Sequence, residues 1–337
     1  MELLTSEKFS ELRQAMASSY GVSESDLRRC FTVSEPLETR LNSAIQESSD
    51  FLQRITVLPV TDRIGQAVTV GVHQPLAKRT DVSSGDRQAT PAESPIGAQY
   101  QCELTEFDVA FPYTLLDAWA RFDNFQELYM GQVYRRIALD RILTGWRGKT
   151  AAASTDRSAN PNLEDVNVGW IEILKQNNPG NYLTESTDGT SKITLGASGD
   201  YKNLDQLAYD VQSMIPDAYR TGSEVVIVGR HLVAHDVGKA LAAVAQTPTE
   251  KNQVLILDKF YGGLQAILVP GFPATGLVVT DTENLSLYYQ RGKTRRQQLD
   301  NSRRNRVEDY ISSNDAYVIE NLDGIAGIEA DNLEFAD

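Results

Sequence analysis

His231 and His235 stand four residues apart, a spacing that on a helix can turn both imidazoles toward one metal ion. The zinc-protease pattern needs a glutamate directly after the first histidine, and Leu232 stands there instead, so polar residues at a helix start are the plainer reading. Gly196-Ala-Ser-Gly199 resembles a nucleophile loop until Asp200 replaces its closing glycine, which leaves a turn as the expectation. An α/β hydrolase using Ser198 with His231 or His235 is therefore the rival function from the enzyme class. Neither a G-x-G-x-x-G run nor a phosphate-cradling P-loop is present, so the aliphatic run ending at Gly229 carries no phosphate signature. The chain is expected to have no catalytic residues, no cofactor and no metal.

The remaining concentration of chemistry is basic: Arg291, Lys293, Arg295, Arg296, Arg303, Arg304 and Arg306, in a chain of net charge −14. Affinity for nucleic acid comes from Lys and Arg opposite phosphates, and interleaved aromatics are also lacking, so a nucleic-acid grip fits poorly. A solvated surface is one reading. Pairing with acidic surfaces on neighbouring copies fits an acidic chain with a local basic patch better.

The elements that must carry these residues centre on 114–148. Leu115, Trp119, Phe122, Phe125, Tyr129, Val133, Ile137 and Ile142 recur at helical spacing, which predicts one long amphipathic helix. Thr114 with Asp117 forms a capping-box start, Gly145 and Gly148 offer stops, and Gly131 is a candidate bend. About thirty residues would span roughly 45 Å, the length of a spine for an elongated subunit. Upstream, Phe9, Leu12, Met16 and Tyr20 predict a short helix from about Ser6 to Gly21 that buries little and stands apart. Ser23 with Asp26 forms a second capping box. Residues 32–51 are polar enough for an extended arm. Strands are expected at 55–59, 64–72 and 101–111, with a polar loop at 78–97, and residues 57–111 together read as a two-stranded protrusion.

Downstream, helices are expected over 166–176, 204–215 and 232–245. Strands are expected over 192–195, 225–228, 254–257, 264–269 and 277–279. This makes a mixed α/β region with its own core. Later strands are expected at 285–289 and 317–320, and residues 300–306 are too polar for core. Hydrophobic residues make up 41% of the 337, a globular share. The amino terminus lacks the charged and apolar regions of a secretory signal, and no run is long and apolar enough for a membrane span. Cys30 and Cys102 are most simply free thiols.

Several blocks in order resemble one family: Glu47-Ser-Ser-Asp-Phe-Leu52, Leu115 to Arg121, Thr155-Asp-Arg-Ser-Ala-Asn-Pro161 and Val168-Gly-Trp170. Val226-Ile-Val-Gly-Arg230, Glu283-Asn-Leu-Ser-Leu-Tyr-Tyr289 with Arg295-Arg296, and Arg306-Val-Glu-Asp-Tyr310 complete the set. Together they resemble the major capsid proteins of P-two-like temperate tailed phages. The resemblance implies an α+β, HK-ninety-seven-like capsid fold and no catalytic site. It divides the chain into an assembly segment (1–31), an N-terminal arm (32–56), an extended loop (57–112), a peripheral domain with the spine helix (113–165), an axial domain (166–280) and a return to the peripheral domain with the tail (281–337). It further implies hexamers and pentamers of this chain in an icosahedral shell around double-stranded DNA, without sequence-specific binding. The implied partners are an internal scaffold, a protease and a portal; assembly would take place in the bacterial host cytoplasm and the virion would be the final location. Removal of the first segment is implied near Phe31 and Thr32, beside Arg28, Arg29 and Cys30. A protein-filled nanocompartment shell shares the fold and stays open as the alternative.

Overall fold

The computed structural model describes residues 1–67, 99–186, 192–220, 222–236 and 260–336, with Ala77, Arg79, Thr80, Ser83 and Asp86 singly. The polar loop expected at 78–97, and the segments expected at 68–72, 237–245 and 254–257, lie mainly or wholly outside these residues.

Two six-stranded sheets organise the described chain. In the first, β1 (Phe31–Thr32), β13 (Arg295–Asn301), β14 (Arg306–Ile319), β12 (Leu285–Gln290) and β2 (Thr56–Val60) lie in that order, and β5 (Glu103–Pro112) also pairs with β14. β14 holds this sheet together because its fourteen residues serve three neighbours, meeting β13 and β5 along one half and β12 along the other. The second sheet runs β6 (Tyr182–Leu183), β15 (Ile325–Ile328), β11 (Leu277–Thr280), β8 (Val225–Val228), β10 (Leu264–Ile267), β9 (Phe260–Tyr261). Two small pairs complete the β structure: β7 (Ile193–Leu195) with β16 (Leu333–Phe335), and β3 (Ile64–Gln66) with β4 (Gln99–Gln101).

The unbroken aliphatic run Val225–Val228 is explained by cover on both faces of its sheet. Val226 and Val228 pack with Leu204, Leu207 and Val211 of α7 (Leu204–Ser213), whereas Ile227 turns to the larger core around the spine helix. Val278 of β11 makes the same choice as Ile227, and Leu277 and Val279 the opposite one. At the junction α6 (Trp170–Asn177) inserts Trp170, fully buried against Trp146 and Tyr317 with ring centroids 5.0 and 5.2 Å away. Its indole N–H donates to the Ser286 carbonyl at 3.1 Å. Gly145 makes room for the ring, since a Cβ there would stand 2.4 Å from it.

Several expectations need correction. The long helix is two: α4 (Tyr113–Trp119) and α5 (Phe125–Arg147), with a turn at 120–124. Asp123 and Asn124 favour turns and caps over helix interior, and the break lets Leu116 and Phe125 both face the core while Leu115 and Phe122 stay exposed. α5 runs unbroken through Gly131. Asp117 does not close a capping box with Thr114; its carboxylate accepts from Thr5 Oγ1 at 2.6 Å and from the Glu2 backbone at 2.9 Å. The helix carrying those residues, α1 (Leu3–Tyr20), does not stand apart. Phe9, Leu12, Met16 and Ala17 are buried in the main core, and Gly21 (φ 64°) ends the helix in the left-handed region as its position predicts.

The arm is not extended. It holds α2 (Glu35–Glu47) and α3 (Asp50–Arg54), and the buried stripe of α2 is Glu38, Leu41, Asn42 and Ile45. Half of that stripe is polar, which hides the helix from a hydrophobic pattern. β2 and β5 belong to the first sheet rather than to a separate protrusion. The tail does not return wholly to the first region, because β15 and β16 join the second sheet and β7.

Cys30 is exposed and Cys102 buried, and both are free thiols. Burial, with Asp315 and Glu103 nearby, pushes the Cys102 thiol up to about 12. At pH 8 an aromatic disulfide reagent should therefore titrate one thiol per native chain within minutes, and the second after unfolding; two fast thiols would contradict this packing.

Candidate assembly surface

The basic run that is contiguous in sequence is divided in space. Arg291 and Lys293 sit in the turn between β12 and β13, and Arg303 and Arg304 in the turn between β13 and β14, so β13 separates the two groups by roughly 20 Å. Arg291, Lys293, Arg295, Arg303 and Arg304 are exposed and make no ion pair among the described residues. The first turn is held from beneath by Glu38, whose buried carboxylate accepts the backbone N–H of Gly292 at 2.8 Å and of Thr294 at 3.1 Å. Nothing in the local pattern marks Glu38 as this anchor, although Ser34 before Glu35-Pro36 is a helix-start signal that would have exposed α2.

Arg296 and Arg306 depart from the expectation of contacts between subunits. Arg296 is 1% exposed and grips Asp309, 0% exposed, through Nε (3.1 Å) and Nη2 (2.6 Å). Burial works most strongly against its charge, but Asp309, Tyr20 and Tyr134 together overcome it and hold the guanidinium protonated. Nη1 donates to the Tyr20 hydroxyl at 2.6 Å, and the guanidinium lies 5.4 Å from the centre of that ring. β13 alternates, so Arg295 points out where Arg296 points in. Arg296 is thus an internal clasp on the N-terminal segment and is withdrawn from the contact set. Arg306 turns to Glu308 at 2.6 Å, and this bond, with one from Tyr310, lowers the Glu308 carboxyl below the usual range. A second internal clasp joins Arg141 to Asp315 (3.0 Å) and Asn42 (2.9 Å), tying α5, β14 and α2 together.

Phe31 and Thr32 form β1, an antiparallel bridge on β13 opposite Arg296 and Arg295. The expected cleavage position and part of the basic run are therefore neighbours. Gln297 Nε2 donates to the Arg28 carbonyl at 2.7 Å just before this bridge.

The histidine and serine candidates have structural partners. His235 stacks on Phe335 at 4.0 Å, and the His231 backbone N–H donates to the Ala274 carbonyl. Ser198 donates to the Ala336 carbonyl, and Asp200 closes the turn by accepting from Thr194 Oγ1 at 2.6 Å. Among the described residues no group of three or more His, Cys, Asp and Glu is placed to hold a metal ion, and no helix is long and apolar enough to cross a membrane.

Residues 8–330 match the family described as phage major capsid protein, P2 family. The chain belongs to that family. It is 35% identical to the capsid proteins of Escherichia phage P2 over 340 residues, covering 98% of this chain and 94% of the relative. It is 32% identical to the major capsid protein of Serratia phage KSP20, covering 100% and 98%. A solved structure of the satellite phage P4 procapsid, which includes the size determination (Sid) protein, matches with a TM-score of 0.79 at 33% identity, over 100% of this chain and 99% of that one. The fold is the α+β phage capsid fold of HK-ninety-seven-like type. This capsid protein is a shell-forming component of a virion, and its partner in the shell is itself.

Proposed function

We propose that this capsid protein groups into hexamers and pentamers that tile an icosahedral shell around double-stranded phage DNA. In this reading it assembles in the host cytoplasm with an internal scaffold, a protease and a portal. The observation that carries the reading is end-to-end similarity to a procapsid subunit. The charge of −14 supports it, because a shell must let DNA slide in and out, and strong phosphate binding would hinder both. Catalysis has no part in this reading; the work is done by many weak contacts repeated over the shell.

We also propose that the first 31 residues are an assembly segment removed at Phe31–Thr32, and that Arg291, Lys293, Arg295, Arg303 and Arg304 contact neighbouring copies. Mass spectrometry of DNA-filled particles should show a chain lacking about the first thirty residues, by the sequence position of that junction. Full-length chains in infectious particles would rule out the cleavage. Empty particles holding cargo protein and no nuclease-protected DNA would favour the nanocompartment instead.

A further inference from the structure

The two sides of the first sheet carry unlike charge. On one side, Arg291, Lys293 and Arg295 project from the start of β13. On the other, β5 has β14 as its sole strand partner among the described residues, so its far backbone edge is unpaired by any of their strands. Glu106 and Asp108 are exposed on its outward face and make no ion pair there among the described residues. Register places these charges in line: Arg295 is opposite Ser312, which is opposite Glu106, and the next outward row is Gln297, Tyr310, Asp108. Arg295 and Glu106 therefore share one face but stand two strands apart, roughly 10 Å, too far to pair within the subunit.

A groove of about 720 Å³ runs beside β5, between Glu103, Glu106 and Asp108 and the loop Ala151–Thr155. Arg157 also lines it, and Glu103 is already paired with Arg63 at 2.9 Å, which leaves Glu106 and Asp108 as its carboxylates without an ion pair among the described residues. Although its side chain is exposed, partial desolvation against the groove, and secondly the neighbouring Glu106, raise the Asp108 carboxyl above its usual value.

An edge strand with unpaired backbone groups is a template for association. A basic patch beside the β1–β13 bridge and an acidic edge on the opposite side of one sheet suit a head-to-tail contact, in which each copy offers one side and receives the other; such contacts close into rings where the rotation between copies closes. We propose, building on the shell-forming reading, that the β5 edge of one subunit, through Glu106 and Asp108, receives Arg291, Lys293 and Arg295 of the next copy.

Charge reversal tests the pairing. Glu106→Lys with Asp108→Lys, and separately Arg291→Glu with Lys293→Glu and Arg295→Glu, should each cut the sedimenting shell fraction by about tenfold, because the lost pairs recur at every equivalent interface. All five changes in one chain should restore assembly to within about twofold of wild type, since the same charges then meet with reversed sign. Near-normal shells from either single-edge variant, or no rescue in the combined one, would overturn the pairing while leaving shell formation intact. A wild-type chain that builds no shells would instead overturn the reading on which it rests. Should a variant fail to fold, wild-type shells treated with a zero-length carbodiimide give the answer: covalent dimers joined from Lys293 to Glu106 or Asp108 support the contact, and dimers without that link, or none, refute it.

Discussion

Replacing Arg296 with methionine is expected to lower the stability of the subunit by about 3–5 kcal/mol, because it strands the buried carboxylate of Asp309 with no cation beside it. Asp309 is fully buried, and its remaining neighbour, the Tyr129 hydroxyl at 3.4 Å, is a weak substitute. Tyr20 loses its partner in the same step, so the grip on α1 loosens. Melting followed by circular dichroism on unassembled subunits should fall by roughly 5–10 °C. The double variant Arg296→Met with Asp309→Leu should recover most of that loss, since an apolar pair of similar volume needs no desolvation to be offset. Arg295→Glu, one residue away on the solvent face, should leave the melt within about 1 °C of wild type, as exposed single charges contribute about 0–1 kcal/mol. Equal effects at 295 and 296 would show that the clasp is not buried as described. A charge reversal at both positions, the natural experiment from sequence alone, would confuse an unfolded subunit with a failed contact.

The second large effect is expected at Trp170. Trp170→Ala should cost about 3–5 kcal/mol, the range for removing a large aromatic from a packed core. The ring is fully buried where α3, α5, α6 and β14 meet, with Phe51 at 6.2 Å in addition to Trp146 and Tyr317. The Ser286 carbonyl would also lose its donor inside the first sheet. The denaturant midpoint should fall clearly, and Trp170→Phe should fall less because it keeps part of the ring contact. A midpoint shifted by less than the equivalent of about 1 kcal/mol would mean that the site collapses around the cavity.

Local pattern by itself determined the elements whose buried faces are apolar. The helix at Leu204–Ser213, the central strand Val225–Val228, the strand Leu277–Thr280 and the left-handed stop at Gly21 all follow from residue periodicity and glycine geometry within a few positions. The order of the blocks was also enough to reach the capsid family. What required the tertiary structure was the fate of charged and polar residues, because their partners lie far along the chain: Arg141 with Asp315, Glu38 with the turn at Gly292, Arg296 with Tyr20. A polar side chain reads as surface until its partner is in view, which is why α2 was hidden and why Arg296 was grouped with solvent-facing neighbours. The break between α4 and α5 was decided by apolar packing added to the turn preference of Asp123 and Asn124. Helical periodicity persists through residues 120–124, and packing of both Leu116 and Phe125 against one core decided that the chain must turn there.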